Sequence, residues 1–292
     1  MKFAYYTGCA AKGACPELYQ ATAEVAECLG IELIELTDAA CCGAGVISEA
    51  DPELAQTINA RTFAQAERLG LNLLTICSTC QGVMAKANKE LCQDKALMTR
   101  VNSRLGKEEG SYQGDVKVKH LLWALIEEFG LDNLKKKVKT PLTHIRIAPF
   151  YGCYLLRPSG TLGYDDPTNP VSLEKLIIAL GGEPIEYDGR TRCCGFPVIL
   201  EREEIATAMA GKNLKEAKEK GAQLLVTPCP LCHMSLDIYQ DRASKCVQTP
   251  LGIPILHLPQ LIGLALGIPP KKLGLSRHMV PTDSVVELIY VK

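Results

Sequence analysis

Residues 41–43 of the chain are Cys41-Cys42-Gly43, and residues 77–80 are Cys77-Ser78-Thr79-Cys80. The same two motifs return as Cys193-Cys194-Gly195 and Cys229-Pro230-Leu231-Cys232. In both places 35 positions separate the second cysteine of the pair from the first cysteine of the Cys-x-x-Cys motif, and a lone cysteine precedes the pair. Ten of the fourteen cysteines therefore follow one duplicated pattern, which predicts two homologous domains. These ten are Cys9, Cys41, Cys42, Cys77, Cys80, Cys153, Cys193, Cys194, Cys229 and Cys232.

The overall composition narrows the class of protein. The chain has 292 residues, a formal net charge of −1, 47% hydrophobic residues and 22% charged residues. This length accommodates two domains with real hydrophobic cores, and the hydrophobic fraction excludes a disordered chain. A near-neutral charge supplies no field for neutralising phosphates, so a general nucleic-acid binder is disfavoured. Fourteen cysteines are too few for a secreted disulfide scaffold, in which they exceed about 8% of the residues.

The first nine residues bear on the compartment. Met1 to Cys9 contain one positive charge and no apolar run of signal-peptide length, and they are typical of a first β-strand. We therefore expect a cytoplasmic protein, associated with a membrane only through a complex. In a reducing compartment a dense set of cysteines indicates metal or redox chemistry rather than disulfides.

Hydrophobic patterning predicts strands that alternate with helices. The predicted strands cover residues 2–6, 31–36, 73–76, 145–148, 184–187 and 223–227, and the predicted helices cover 17–29, 53–69, 171–180 and 202–220. This order is typical of an α/β fold with βαβ units and a small parallel sheet in each half. Each cysteine motif comes after a strand and before a helix, where ligands of parallel sheets bind.

The domain boundary is predicted near residue 140. Residues 106–114 are polar and glycine-rich and predict a loop, 117–129 predict a helix, and 134–140 predict a basic connector. The predicted domains are an N-terminal one with its connector over 1–140 and a C-terminal one over 141–292.

Five cysteines in each half exceed the need of the common sulfur-ligated sites. Structural zinc takes four ligands, and a cubane iron–sulfur cluster also takes four thiolates. The two adjacent cysteines of a pair can bind different metals of one larger cluster, or one of them is a spare. The spacing alone thus predicts a sulfur-ligated metal site in each half, without deciding its kind.

The repeated pattern resembles the cysteine-rich CCG domain in the B subunit of heterodisulfide reductase, and the resemblance extends over nearly the whole chain. Supporting stretches beside the cysteines are Cys41 to Gly45, Cys77 to Gly82, Tyr151 to Pro158, Tyr164 to Pro167 and Thr227 to His233.

The resemblance implies a noncubane [4Fe–4S] cluster in each half. One would be held by Cys9, Cys41, Cys42, Cys77 and Cys80, and the other by Cys153, Cys193, Cys194, Cys229 and Cys232. A small-molecule disulfide or thiol substrate would enter between the halves. Beyond the cluster ligands, no catalytic residue is predicted. The implied partners are a ferredoxin-like iron–sulfur subunit, similar to the C subunit of heterodisulfide reductase, and a flavoprotein subunit.

Two alternatives stay open at this point. Some members of the family belong to succinate or fumarate reductases, where such a subunit transfers electrons toward quinone and docks on the membrane. The uncharged stretch 246–270 favours this alternative if it contacts a membrane peripherally, whereas a buried strand and core helix explain it equally. In the second alternative, zinc replaces a cluster in one half, or in both halves of a purely structural protein.

The remaining candidates are single residues. Cys15, Cys28, Cys92 and Cys246 have no counterpart in the other half; Cys28 is expected to be buried, and Cys15 is a candidate thiol near Cys9. His233 follows Cys232 and is a candidate hydrogen-bond donor to a cluster sulfur, while His120, His144, His257 and His278 are expected to be structural. Arg157, Arg190 and Arg192 either bind an anionic substrate or lie at the surface. No nucleotide-binding motif occurs.

Overall fold

The computed structural model describes residues 1–106 and 110–290 of the chain. This part contains two four-stranded parallel sheets. The first has the order β2-β1-β3-β4 and consists of β1 (Lys2–Tyr6), β2 (Glu32–Glu35), β3 (Leu73–Thr75) and β4 (Val118–His120). The second has the order β6-β5-β7-β8 and consists of β5 (Arg146–Pro149), β6 (Glu183–Pro184), β7 (Leu224–Thr227) and β8 (Ile255–His257). The predicted α/β class with two parallel βαβ-type halves is confirmed.

Helices connect and flank these strands. They are α1 (Gly8–Gly13), α2 (Pro16–Leu29), α3 (Val46–Ala50), α4 (Pro52–Arg68), α5 (Ser78–Gln93), α6 (Lys95–Arg104), α7 (Leu121–Ala124), α8 (Leu131–Lys137), α9 (Cys153–Leu156), α10 (Ser159–Leu162), α11 (Ser172–Ala179), α12 (Glu203–Glu219), α13 (Pro230–Asp237), α14 (Gln240–Cys246), α15 (Leu258–Ala265) and α16 (Asp283–Tyr290). A π-helical segment covers Leu125–Gly130, and 3₁₀ turns cover Asp188–Thr191, Phe196–Val198 and Leu275–Arg277.

The central strands are short apolar runs because both faces of each sheet are covered. β3 and β7 are buried along their whole length. Parallel pairing fixes their register, with Ala4 opposite Leu73 in the first sheet and Ile147 opposite Leu224 in the second. The continuous apolar pattern is the expected sequence of a doubly covered parallel strand. The carboxyl ends of these central strands therefore open into loops on one edge of each sheet.

The two halves pack on each other through helices. α2 of the first half packs against α15 of the second, and α5 packs against α9. The second contact is close: a Cβ added at Gly82 of α5 would lie 2.8 Å from the carbonyl oxygen of Tyr154. Leu18 and Val25 of α2 belong to the same hydrophobic core as Leu261 of α15. The halves thus share a core.

Three predicted elements differ in the structure. The segment predicted as a helix over 117–129 begins with β4, which pairs with the buried strand β3 before α7 starts. Tertiary pairing overrides the helical pattern there. The predicted connector 134–140 overlaps α8, and the strand predicted over 184–187 contributes only Glu183–Pro184, at the edge of the second sheet. In the predicted loop 106–114, residues 107–109 lie outside the described residues.

The central part of the uncharged stretch 246–270 forms β8 and α15, which are fully buried, whereas residues near its ends, such as Cys246 and Pro269, are exposed. The interpretation as a buried strand and core helix is therefore confirmed. Among residues 1–106 and 110–290, no helix combines the length and apolar character required to cross a bilayer.

Candidate metal centre

The five cysteines of the first half meet at the carboxyl edge of its sheet. Cys9 lies in α1 just after β1, and Cys77 is the N-cap of α5 just after β3. The Sγ atoms of Cys9 and Cys41 are 3.7 Å apart, and those of Cys42 and Cys80 are 3.5 Å apart. The neighbouring Cys42 and Cys77 thiols raise the pKa of Cys80, and burial raises this pKa further. The fold therefore brings the predicted set together.

The second half repeats the arrangement. Cys153 begins α9 after β5, and Cys229 is the N-cap of α13 after β7. The neighbouring Cys193 thiol raises the pKa of Cys153, and Cys194 raises the pKa of Cys232. These shifts arise because the thiols are held within interaction distance of each other. All five cysteines of this half therefore converge as well.

Backbone N–H groups point at the sulfur atoms. The Gly43 N–H donates to Cys41 Sγ over 3.4 Å, and the Gly195 N–H donates to Cys193 Sγ over 3.4 Å. Hydrogen bonds from Cys42 and Cys9, and from the Gly43 N–H, lower the pKa of Cys41. Such donors stabilise a thiolate, which is the form that binds a metal. Both glycines have positive φ, so the Cys-Cys-Gly turn needs the residue that adopts this conformation freely.

Asparagine side chains hydrogen-bond to the backbone of the loops that contain the cysteine pairs. Asn59 donates through Nδ2 to the carbonyl oxygen of Cys42 over 2.9 Å, and Asn213 donates to that of Cys193 over 3.0 Å. Both asparagines lie on the long helices that follow these loops, α4 and α12, and both are buried. An asparagine thus anchors the cysteine pair of each half, at the second cysteine in the first half and at the first cysteine in the second.

Exposure varies across the ten cysteines. Cys9 and Cys41 are exposed, and Cys153 and Cys193 are half-buried. The other six are buried: Cys42, Cys77, Cys80, Cys194, Cys229 and Cys232. In each half, the lone cysteine and the first cysteine of the pair are therefore the most accessible to solvent, and the other three cysteines are buried.

The two cysteine sets contact each other across the halves. The Cys229 thiol raises the pKa of Cys77, and Thr79 Oγ1 lies 3.6 Å from Cys229 Sγ. Ser78 donates to the carbonyl oxygen of Pro228 over 3.2 Å, and His120 Nε2 lies 3.0 Å from the same oxygen. The two cysteine sets therefore adjoin each other through Cys77 and Cys229.

The donor set fits a sulfur-bound metal. Two thiolates on one tetrahedral ion with metal–sulfur distances near 2.3 Å are separated by about 3.8 Å. The Cys9–Cys41 and Cys42–Cys80 separations of 3.7 and 3.5 Å match that spacing. A fifth thiol in each half remains after a four-ligand site is filled, which fits a polynuclear cluster better than one zinc ion.

The other predicted residues have different places. The Cys92 thiol donates to Asn88 Oδ1 and to the Gly114 carbonyl oxygen, and Cys246 Sγ lies 3.5 Å from the Thr207 hydroxyl. Cys28 is half-buried in α2. None of these three joins the ten. Cys15 is buried beside Glu17, and burial, the charge of Glu17 and the charge of Cys229 raise the pKa of its thiol.

The three arginines bind partners within the chain. Arg190 pairs with Glu174 and donates to Asn169 over 2.7 Å. Arg157 donates to two backbone carbonyls, and Arg192 pairs with Glu216 over 3.0 Å. His233 is buried, and its Nε2 lies 3.2 Å from the Ile255 carbonyl oxygen.

Comparisons with known proteins agree with this geometry. Residues 3–85 and 147–237 match the CCG family, described as "Cysteine-rich domain". The chain is 41% identical, over 96% of its length and 97% of the relative, to the 8-methylmenaquinol:fumarate reductase membrane anchor subunit of Wolinella succinogenes. It is 30% identical, over 99% of its length and 97% of the relative, to the B subunit of the ferredoxin/F(420)H(2)-dependent CoB-CoM heterodisulfide reductase of Methanosarcina acetivorans.

A solved structure shows the same fold. The crystal structure of a hypothetical protein from Helicobacter pylori superposes with a TM-score of 0.78 at 17% identity, covering 96% of this chain and 52% of that one. With the family match in both halves and two full-length relatives at 30% identity or more, this chain belongs to the CCG cysteine-rich domain family and carries the domain in two copies.

Proposed function

We propose that the chain is the iron–sulfur subunit of a heterodisulfide-reductase-like oxidoreductase complex, which reduces a disulfide or oxidises the corresponding thiols. The observation that carries the proposal is the contact between the two cysteine sets, where Thr79 Oγ1 of the first Cys-x-x-Cys motif lies 3.6 Å from Cys229 Sγ of the second. Hydrogen bonds from Cys232 and from the neighbouring Cys77 lower the pKa of Cys229. Because the sets are adjacent, two sulfur atoms released from one small disulfide can reach a separate metal centre each. Two isolated structural sites would not need this contact.

The ten cysteines are proposed as the ligands of two noncubane [4Fe–4S] clusters. Cys9, Cys41, Cys42, Cys77 and Cys80 would hold the first, and Cys153, Cys193, Cys194, Cys229 and Cys232 the second. When bound, such clusters supply single electrons and an iron that takes a substrate sulfur. The exposed Cys9 and Cys41 leave the first site open to solvent, whereas the buried cysteines exclude water from the contact between the halves.

Electrons have to come from other subunits. Within the described residues, cysteines outside the two sets are scattered and offer no path of further clusters to the surface. We propose a ferredoxin-like iron–sulfur subunit and, behind it, a flavoprotein as partners. The relatives' names, which describe subunits of reductases, support a complex of this kind.

The test is EPR spectroscopy of anaerobically purified protein after stepwise oxidation, with and without added small thiols. A paramagnetic signal that changes when a thiol is added, and broadens with ³³S-labelled thiol, supports binding of substrate sulfur at the centre. A cluster signal that no thiol or disulfide alters would contradict disulfide chemistry.

A second candidate is an electron-transfer and membrane-docking subunit of a succinate or fumarate:quinone reductase. It is favoured by the 41% identity to a subunit named as a membrane anchor of a fumarate reductase. The buried elements of the 246–270 stretch, β8 and α15, offer no surface for membrane contact. Two exposed apolar side chains that follow the cysteine pairs in the sequence offer such a surface: Val46 is 81% exposed and Leu200 is 97% exposed.

Purification of the native complex separates the two candidates. Co-purification with a dicarboxylate-oxidising flavoprotein, together with fumarate- or succinate-dependent electron transfer through the clusters, supports the second. A complex that lacks dicarboxylate activity and shows thiol-sensitive cluster signals supports the first.

A further inference from the structure

A second group of metal-binding side chains lies buried behind the cysteines of the C-terminal half. It consists of Cys15, Glu17, His233 and His257, of which none is more than 5% exposed. One donor atom from each lies within 4.8 Å of a donor atom from every other. This group of four residues is named the buried Cys–Glu–His–His group below.

Three elements from both halves contribute to it. Cys15 is the N-cap of α2 and Glu17 lies in the first turn of that helix. His233 lies in α13 directly after Cys232, and His257 ends β8 and caps α15. Because α2 belongs to the first half and the other two helices to the second, the buried Cys–Glu–His–His group lies on the interface between the halves.

The two nitrogen atoms of each imidazole have different surroundings, because Nε2 has polar contacts that Nδ1 lacks. His257 Nε2 lies 3.2 Å from Glu17 Oε1, and His233 Nε2 lies 3.2 Å from both the Ile255 carbonyl oxygen and His278 Nδ1. Nδ1 of His233 is buried and has no hydrogen-bond partner among the described residues. Nδ1 of His257 is also buried without one, and the His257 side chain faces the N–H of Gln260 in the first turn of α15. A ring nitrogen fixed by an oxygen acceptor, with the other left as a lone pair, is the usual state of a metal-binding histidine.

The first half shows what a purely structural histidine does in the same place. His120 ends β4 as His257 ends β8, and its Nδ1 accepts the N–H of Leu122 over 3.0 Å. Two positions after His257 the chain has Pro259, which lacks an N–H. A buried polar atom without a partner costs about 1–3 kcal/mol, so the bare lone pairs require another partner.

The charges of the group suit a dication. Glu17 places a carboxylate in the interior, and its cationic partner Arg277 is largely exposed at 3.1 Å. Both rings are buried, and neutral imidazole is the form of histidine that binds a metal. A thiolate, a carboxylate and two neutral imidazoles balance the two charges of a divalent ion, which removes the cost of burying unpaired charge.

We propose that Cys15, Glu17, His233 and His257 bind one zinc ion, which joins the two halves next to the C-terminal cysteine set. One sulfur, two nitrogens and one oxygen are a ligand set that zinc accepts in tetrahedral geometry. The two rings stack with centroids 3.8 Å apart, so binding requires them to turn about χ2, a torsion with broad minima. This turn also moves Nε2 of each ring away from Glu17 and from the Ile255 carbonyl oxygen, and the bonds to zinc replace those contacts. The site is separate from the ten cysteines and does not depend on the proposed redox function.

The experiment measures zinc and iron per chain by mass spectrometry of anaerobically purified full-length protein, with zinc K-edge X-ray absorption on the same samples. The wild type is expected to hold about one zinc ion per chain, with one sulfur and three nitrogen or oxygen neighbours. Cys15→Ala and His257→Asn should each lower zinc by roughly tenfold or more and leave iron unchanged. Cys28→Ala, which removes another thiol from the same helix, should retain zinc.

Three results would overturn the proposal. They are a wild type without zinc, zinc with only sulfur neighbours, and equal zinc contents in Cys15→Ala and Cys28→Ala. Sulfur-only zinc would place the ion in one of the two cysteine sets instead. If a variant fails to fold, the absorption spectrum of the wild type still decides between mixed and sulfur-only coordination. Loss of iron with retained mixed-ligand zinc would count against the iron–sulfur proposal alone.

Discussion

The hydroxyl oxygen of Thr79 lies 3.6 Å from the sulfur of Cys229, so a side chain of the first half contacts a thiol of the second. Hydrogen bonds from Cys232 and Cys77, and from Thr79, lower the pKa of Cys229. The residue that matches Thr79 in the second Cys-x-x-Cys is Leu231, which cannot donate to Cys77. The two otherwise repeated sites therefore differ in their hydrogen bonding.

Replacement of Thr79 by valine tests this asymmetry. A hydrogen bond to a ligand sulfur stabilises the more negative, reduced state of a cluster, so its loss lowers the reduction potential. We expect Thr79→Val to shift the proposed C-terminal cluster to a more negative potential in an EPR-monitored redox titration, with unchanged iron content. Thr79→Ser, which keeps the hydroxyl, should behave as wild type. A potential that is equal in all three proteins would contradict the role of this contact.

Gly152 is expected to be essential for the C-terminal site. Its φ is +72°, and a Cβ there would lie 3.0 Å from Cys232 Sγ. Alanine at a left-handed position costs about 1–2 kcal/mol, and the methyl group also displaces the thiol. Gly152→Ala should therefore lower the thermal midpoint and remove roughly half of the iron, the share of one of two clusters. Gly160→Ala is the matched control, because nothing lies within 4 Å of the added atom, and this variant should retain the full iron content.

Single cysteine variants should divide the iron between the halves. Cys42→Ala and Cys194→Ala each remove a buried thiol from one set, and each should reduce iron by about half if the clusters are independent. Cys246→Ala lies outside both sets and should leave the iron content unchanged. Equal iron in all three variants, measured against protein concentration, would show that the assigned thiols are not ligands.

The buried His120 predicts acid sensitivity. Burial lowers the pKa of its ring to about 4 from an ordinary value near 6.5, although the bond of Nε2 to the Pro228 carbonyl opposes the shift. The unfolded chain then binds more protons than the folded one between those two values, so stability falls as pH falls from 6.5 toward 4. His120→Gln should make this fall less steep in chemical denaturation at a series of pH values. The variant should still lose stability as the pH falls, since burial also lowers the pKa of His233 and His257. An unchanged slope in the variant would count against this role of His120.

The local features of the fold can be predicted because short stretches of sequence contain them. β1 covers the expected residues 2–6, and α4 differs from its predicted bounds by one residue at each end. The predicted position of the cysteine motifs after strands is confirmed, since a run such as Leu73–Thr75 leads directly into Cys77. The short strand β4 escapes prediction because Val118 pairs with Leu73, a contact that the local pattern does not contain.

The relation between the halves cannot be predicted in this way. The Thr79–Cys229 contact joins residues 150 positions apart, and the His257–Glu17 contact joins residues 240 apart. His257 is expected on sequence grounds to be an isolated structural residue, yet it lies in the same buried group as Cys15. Only the packing of α2 on α15 brings them together. Because these residues are far apart in the sequence and follow no motif, the sequence alone does not predict that they form a group.

The proposed iron–sulfur function is tested most directly by the iron and acid-labile sulfide content of anaerobically matured wild-type protein. Two clusters predict about eight iron and about eight sulfide ions per chain. About four of each, with zinc held by sulfur alone, would leave one active half and favour electron transfer over disulfide chemistry. Protein that contains zinc but neither iron nor labile sulfide would contradict the proposed clusters, and the ten cysteines would then stabilise a structural subunit.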